Sequence, residues 1–236
     1  MDREQLFEEF ITNCENSKPI QFPGQGNPNK DILIIGKEST DVTDGLILDK
    51  IRLCRDKIMR DAPREIKQSN DTWMNYQHLC DLIYRRKSNY PNYWDFEKEC
   101  AFTTELNNNP SKRTSNPNKE TKKAIAKRLK LFKESDFIQS FPVVILACSN
   151  YITNHGEGDN RQIDGTFNVE YDGENNGGEH YFTSMNRFFT HHNIVDTKFF
   201  KAGEKLVIHT RQLSQNIKED MLIDMAKVIR KHLRIE

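Results

Sequence analysis

Leu206, Val207 and Ile208 form a short apolar run that stops at His209 and gives way to Thr210, Arg211, Gln212, Leu213 and Ser214. Apolar strands that release polar side chains at their C-terminal ends are where open α/β sheets build their sites. A histidine there titrates near neutrality, so it can shuttle a proton or donate to a developing anion. Packing or capping is the other use of a single histidine at a strand end. Three further runs end alike: Ile32–Ile35 in Gly36-Lys37-Glu38, Cys100–Phe102 in Thr103-Thr104-Glu105-Leu106-Asn107, and Phe141–Leu146 in Ala147-Cys148-Ser149. If the four runs are parallel neighbours, their exits share one sheet edge. That edge then carries Glu38, Glu105, Asn107 and His209, a set suited to acid–base work and to reading a polar ring. Phe102 or Tyr76 can supply a stacking face, although aromatic residues on such elements also serve as core. Glu38 has an alternative use as a solvated loop acid or a helix N-terminal charge, and Glu105 and Asn107 as turn formers.

The elements that must position these residues follow from apolar spacing. Helical spacing covers Asp2–Asn13 through Leu6, Phe7, Phe10 and Ile11, and Asp44–Met59 through Leu46, Ile47, Ile51, Cys54 and Ile58. Thr72–Arg86 is helical through Trp73, Tyr76, Leu79, Cys80 and Ile83, Lys119–Phe137 through Ile125, Leu129 and Phe132, and Lys218–Arg234 through Met221, Ile223, Met225, Val228 and Ile229. Continuous apolar runs predict buried strands at Ile32–Ile35, Cys100–Leu106, Phe141–Cys148 and Leu206–Ile208. Four such strands separated by helices predict a three-layer α/β/α fold on a central four-stranded parallel sheet. We expect residues 1–236 to form a single domain, with an irregular insertion at about 154–200 between the third and fourth core strands. Within that insertion Thr166–Asp172 alternates like one arm of a hairpin, and Tyr181–His191 has helical character.

Composition narrows the function classes. Apolar residues make up 36% and charged residues 30%, enough for a core under a very polar surface. Thirty-five basic residues balance 35 acidic ones, so net charge points to neither nucleic acid nor membrane. The five cysteines are scattered and form no CxxC pair, which predicts buried reduced thiols rather than a disulfide framework or zinc site. No signal-peptide pattern or membrane-length apolar run stands out, so the expected location is cytoplasmic, with no membrane partner. His191 and His192, with His180, Glu179 and Asp164, lack a recognisable ligand spacing, and no phosphate loop or dinucleotide fingerprint is present. No metal and no cofactor is expected.

One local asymmetry stands out. Ser111–Lys133 holds Lys112, Arg113, Lys119, Lys122, Lys123, Lys127, Arg128, Lys130 and Lys133 against the single acid Glu120. Phosphate binding and a solvated helix face are both natural uses of such a run.

At the strand exits the chain resembles the uracil-DNA glycosylase superfamily, whose fold is a four-stranded parallel sheet with helices on both sides. Gly36-Lys37-Glu38 is similar to that family's first motif, a Gly-Gln-Asp-Pro-Tyr type sequence with its water-activating acid two residues after the glycine. His209-Thr210-Arg211-Gln212-Leu213-Ser214 keeps the His, Leu and Ser of its last motif, His-Pro-Ser-Pro-Leu-Ser. Asn107–Pro110 looks like its base-recognising loop. Ser39 and Thr40 stand where the family has Pro and Tyr, and Thr210-Arg211 where it has the backbone-contacting Pro-Ser. The resemblance implies Glu38 and His209 as catalytic residues, Asn107 and Glu105 at the base, and Lys112, Arg113, Arg211 and Ser214 at the nucleic-acid backbone. The implied activity is hydrolysis of an N-glycosidic bond in DNA, as in base repair. Glu38 would steady the sugar cation or orient water, and His209 would hydrogen-bond the leaving base. Two other readings use the same scaffold: a non-catalytic module for nucleic acid or a protein partner, and an enzyme acting on free nucleosides or nucleotides.

Overall fold

A computed structural model describes residues 2–38, 44–56, 64–65, 71–87, 93–107, 117–153, 161–170, 189–192, 198–201, 203–214 and 217–235. For Glu38, Asp44, Arg64, Glu65, Asp71, Tyr93, Trp94 and residues 189–192 only the backbone is described. The chain opens with α1 (Arg3–Asn16), β1 (Gln25–Gly26), β2 (Ile32–Glu38) and α2 (Asp44–Arg55). Next come β3 (Arg64–Glu65), α3 (Asp71–Tyr84), β4 (Tyr93–Trp94), α4 (Phe96–Glu99) and β5 (Ala101–Asn107). It continues through α5 (Lys119–Glu134), α6 (Asp136–Gln139), β6 (Val143–Ala147) and a 3-10 turn at Ser149–Tyr151. The last elements are α7 (Gln162–Phe167), β7 (Phe189–His192), β8 (Leu206–Thr210) and α8 (Glu219–Leu233).

The principal sheet has six strands in the order β1-β5-β2-β6-β8-β7. Its four central strands are mutually parallel, while β1 pairs antiparallel with β5 and β7 antiparallel with β8. The four expected parallel strands are therefore present, but the four-stranded count is too small. Both extra strands are short edges, at two and four residues, and carry too little alternation to stand out in sequence. β1 needs glycine: Gly24 has φ +124°, and a Cβ there would lie 2.3 Å from the Thr103 carbonyl oxygen.

Alternation along the strands divides the core into two layers. Leu33, Ile35, Phe102, Val144, Leu146 and Val207 pack under α1, α2, α5, α6 and α7. Ile32, Ile34, Ala101, Val143, Ile145 and Ile208 pack under α3, α4 and α8. Burial on both faces explains why these strands are continuously apolar. On the first face Phe7, Phe102, Phe137 and Phe141 form an edge-to-face cluster, so Phe102 is core and offers no stacking surface.

Other expectations need correction. The helix expected over Lys119–Phe137 breaks at Ser135, whose Oγ accepts from Ile138 N (3.4 Å) and caps α6. The hairpin arm expected over Thr166–Asp172 begins as the end of α7, whose Ile163 and Phe167 are core; Asp172 lies outside the described residues. The expected helix Tyr181–His191 overlaps strand β7 at 189–191, and residues 181–188 lie outside the described residues. Cys80 and Cys100 form a disulfide between α3 and the residue before β5, with Cα atoms 6.0 Å apart. The expectation of five reduced thiols thus fails for this pair. The partners are 20 residues apart, and tertiary packing rather than spacing brings them together. Cys14, Cys54 and Cys148 form no disulfide and are buried. Among the described residues no helix is long and apolar enough to cross a membrane.

Candidate functional site

The parallel register brings the strand exits to one edge. Glu38 of β2 pairs with Asn107 of β5, and Gly36 with Glu105. Leu146 of β6 links Ile35 on one side to His209 on the other. The strands also run further than their apolar runs, because ladder hydrogen bonds persist after the side chains turn polar. Glu38 and His209 are strand residues rather than loop residues. Glu38 lies two strands over and three residues onward from His209. At about 4.8 Å per strand and about 3.3 Å per residue, their Cα atoms stand about 14 Å apart.

His209 follows Ile208, which packs on the α3/α8 face, and Thr210 touches Met221 of α8 through Oγ1 and Sδ at 4.0 Å. His209 therefore belongs to the opposite face, with Lys37 and Tyr151. It is 9% exposed, and Nε2 lies 2.8 Å from the Ser149 carbonyl oxygen. A carbonyl can only accept, so Nε2 carries the proton. Ser149 has φ +49° and its Oγ accepts from Gln212 N (3.3 Å). One residue thus orients His209 with its carbonyl and holds the loop after β8 with its hydroxyl. Lys37 is buried and places Nζ 5.0 Å from the centre of the Tyr151 ring, a cation–π contact.

Glu105 and Asn107 fall on the α3/α8 face. Asn107 is buried at 1% exposure and Glu105 is half-buried. A Cβ on Gly36 would lie 2.5 Å from Glu105 Oε2, so only glycine leaves that carboxylate its place. Tyr76 of α3 is buried nearby, and its phenol is pushed well above its usual value by burial and then by the Glu105 and Cys148 charges. Burial also pushes the Cys148 thiol up; Lys37 pulls it down and Glu105 pushes it further up. Both groups stay neutral near pH 7, so Cys148 is not an activated nucleophile. Asn75 Nδ2 donates to the carbonyl oxygens of Leu213 (3.4 Å) and Ser214 (3.2 Å), fixing the loop after β8 from the α3 side. Arg211 and Ser214 are half-buried in that loop.

The structure thus gathers Glu38, Glu105, Asn107, His209, Arg211 and Ser214 along one edge, with His209 on one face and Glu105 and Asn107 on the other. The side chain of Glu38 lies outside the described residues, as do Lys112 and Arg113. Arg128 leaves the basic surface altogether. It is 1% exposed; Nε donates to the Glu105 carbonyl oxygen (3.1 Å), and Nη2 donates to Thr104 Oγ1 (2.8 Å) and to the Phe22 carbonyl oxygen. Its guanidinium lies 4.6 Å from the centre of the Phe132 ring. It ties α5 to β5 and the segment before β1.

Residue type alone does not single out Ser149, Asn75 or Lys37. Position is the only sequence signal for two of them, two residues after β6 for Ser149 and beside Glu38 for Lys37. No protein-family model matches the sequence, and no curated protein is significantly similar to it.

Proposed function

We propose that this chain is a divergent uracil-DNA glycosylase-like protein that hydrolyses the N-glycosidic bond of a base in DNA. The observation that carries the reading is the single edge formed by four parallel strands, where the Cα atoms of Glu38 and His209 stand about 14 Å apart across β6, at register positions that alternate to opposite faces. A base taken out of its stack can be brought to such an edge. Water adds to the sugar C1′ as the C1′–N bond breaks, and the base leaves with the bonding pair. Glu38 orients the water and stabilises the positive sugar. His209 stabilises the charge on the base. Asn107 and Glu105, which lie on the face opposite His209, reach the base only past the end of the sheet, and Lys112, Arg113, Arg211 and Ser214 hold the backbone.

The His209 contact favours a second reading. Because Nε2–H is donated to the Ser149 carbonyl at 2.8 Å, His209 donates to a leaving base only by taking a second proton at Nδ1 or by giving up that contact. A non-catalytic nucleic-acid module on the same scaffold needs neither. Purified protein incubated with single- and double-stranded oligonucleotides carrying modified bases distinguishes the two. Abasic product that disappears in His209→Ala supports the enzyme. Binding without product on any base supports the module.

A further inference from the structure

We infer that the solvent face of α5 is the surface that tracks a DNA backbone leading into the strand-exit edge; this rests on the nucleic-acid reading above. α5 carries six lysines, Lys119, Lys122, Lys123, Lys127, Lys130 and Lys133. At about 100° per residue they occupy an arc of roughly 140°. Ile125, Arg128, Leu129 and Phe132 occupy the opposite side and are buried. The lysine face is therefore held rigidly outward, and its helix is capped by Asn118 Oδ1, which accepts from Thr121 N (2.8 Å).

Ion pairing neutralises part of this ridge. Glu120 pairs with Lys123 at 3.3 Å and Glu134 with Lys130 at 3.8 Å. Lys119, Lys122, Lys127 and Lys133 have no ion-pair partner among the described residues. Four uncompensated cations on one rigid face of a chain with net charge +0 make a local field that composition hides.

Direction ties the ridge to the site. β5 and β6 are both parallel to β2, so the connection through α5 must run back from the strand exits to the strand starts. Arg128 meets Thr104 and Glu105 in the middle of β5, and α5 begins at the strand exits, which places Lys119 and Lys122 toward the exit edge. From Lys119 to Lys133 the helix rises about 21 Å. Measured along the duplex axis, that length spans about six phosphates of one strand, more than the four unpaired lysines need.

The test measures binding of a fluorescein-labelled 20-base-pair duplex by anisotropy between 50 and 200 mM salt, beside sedimentation with vesicles of phosphatidylserine and phosphatidylcholine. The K119Q/K122Q/K127Q/K133Q variant should lower the magnitude of the log K against log salt slope by about 3.6, at about 0.9 per phosphate contact. Wild-type affinity should then fall about 10²-fold more than the variant's across that salt range. The E120Q/E134Q variant, which frees Lys123 and Lys130, should bind more tightly, and it keeps the test decisive if the lysine variant misfolds. An unchanged slope in a folded lysine variant overturns the ridge, as does unchanged or weaker binding by E120Q/E134Q. Lysine-dependent vesicle binding without DNA binding also overturns it. Abasic product formation tests the parent reading separately, so each can fail without the other.

Discussion

Lys205 gives the sharpest stability prediction. It precedes β8 at the strand-start edge, away from the candidate site, and is 1% exposed. Nζ donates to the Gln139 carbonyl oxygen and to Gln139 Oε1, both at 3.1 Å, and stands 5.9 Å from the ring centres of Phe167 and Phe200. Among the described residues it forms no ion pair. Burial alone lowers its pKa from 10.5 to about 7. Between those values the unfolded chain holds a proton that the folded chain has released, so this group makes stability rise with pH. Below about pH 7 the full penalty acts, about 5 kcal/mol at 1.36 kcal/mol per unit; above about pH 10.5 it vanishes. From pH 6 to pH 9 the gain is about 3 kcal/mol. Lys205→Met removes the titration and takes the lysine donor from the Gln139 carbonyl, whereas Gln139 Oε1 keeps Asn168 Nδ2 (3.3 Å), a pH-independent cost of about 1–3 kcal/mol. The variant should be more stable than wild type at pH 6 by about 2–4 kcal/mol and within about 1 kcal/mol of it at pH 9. Urea unfolding at pH 6, 7, 8 and 9, with m-values compared to exclude a change in the unfolded state, measures this. Wild-type and variant curves that stay parallel across the range would refute the reasoning.

The remaining predictions address the scaffold and the site. Arg128→Ala should cost about 3–5 kcal/mol, because it opens a cavity and strands three hydrogen-bond acceptors, whereas Lys122→Gln six residues earlier should change stability by less than about 0.5 kcal/mol. Equal effects in denaturant melts would contradict the buried assignment. Ser149→Ala removes the hydroxyl bound to Gln212 N but keeps the carbonyl bound to His209, so nuclear magnetic resonance should show the post-β8 loop perturbed and the His209 Nε2–H tautomer retained. Loss of that tautomer would contradict the geometry. Reduction of Cys80–Cys100, which closes a loop of sequence separation 20, should lower stability by about 3 kcal/mol, read by unfolding with and without reductant. No change would mean that the bridge constrains little in the unfolded chain.

The limits of legibility are physical. The four central strands are visible in sequence because burial on both faces demands continuous apolar runs, as at Ile32–Ile35 and Val143–Ala147. Their ends are hidden, because β2 continues through Lys37 and Glu38 on backbone bonds alone. Arg128 looks like part of a charge run when letters are counted. In helical phase it stands among Ile125, Leu129 and Phe132, and that phase identifies it as buried. Ser149 and Asn75 act through backbone contacts across elements, to residues 60 or more positions away, which no local pattern encodes. The Cys80–Cys100 bridge is hidden for the same reason. It forms because α3 packs beside the start of β5.

The central claim is that Glu38 and His209 act across one strand-exit edge on one bond. Single-turnover formation of abasic product should be measured in wild type, Glu38→Gln, His209→Ala and the double variant, on the best modified-base duplex. The account predicts product in wild type and a loss of roughly 10²–10³-fold in each single variant. The double variant should lose less than the product of the two, because the groups serve one transition state. Product formation undiminished in both single variants, or no product from wild type on any base, would contradict it.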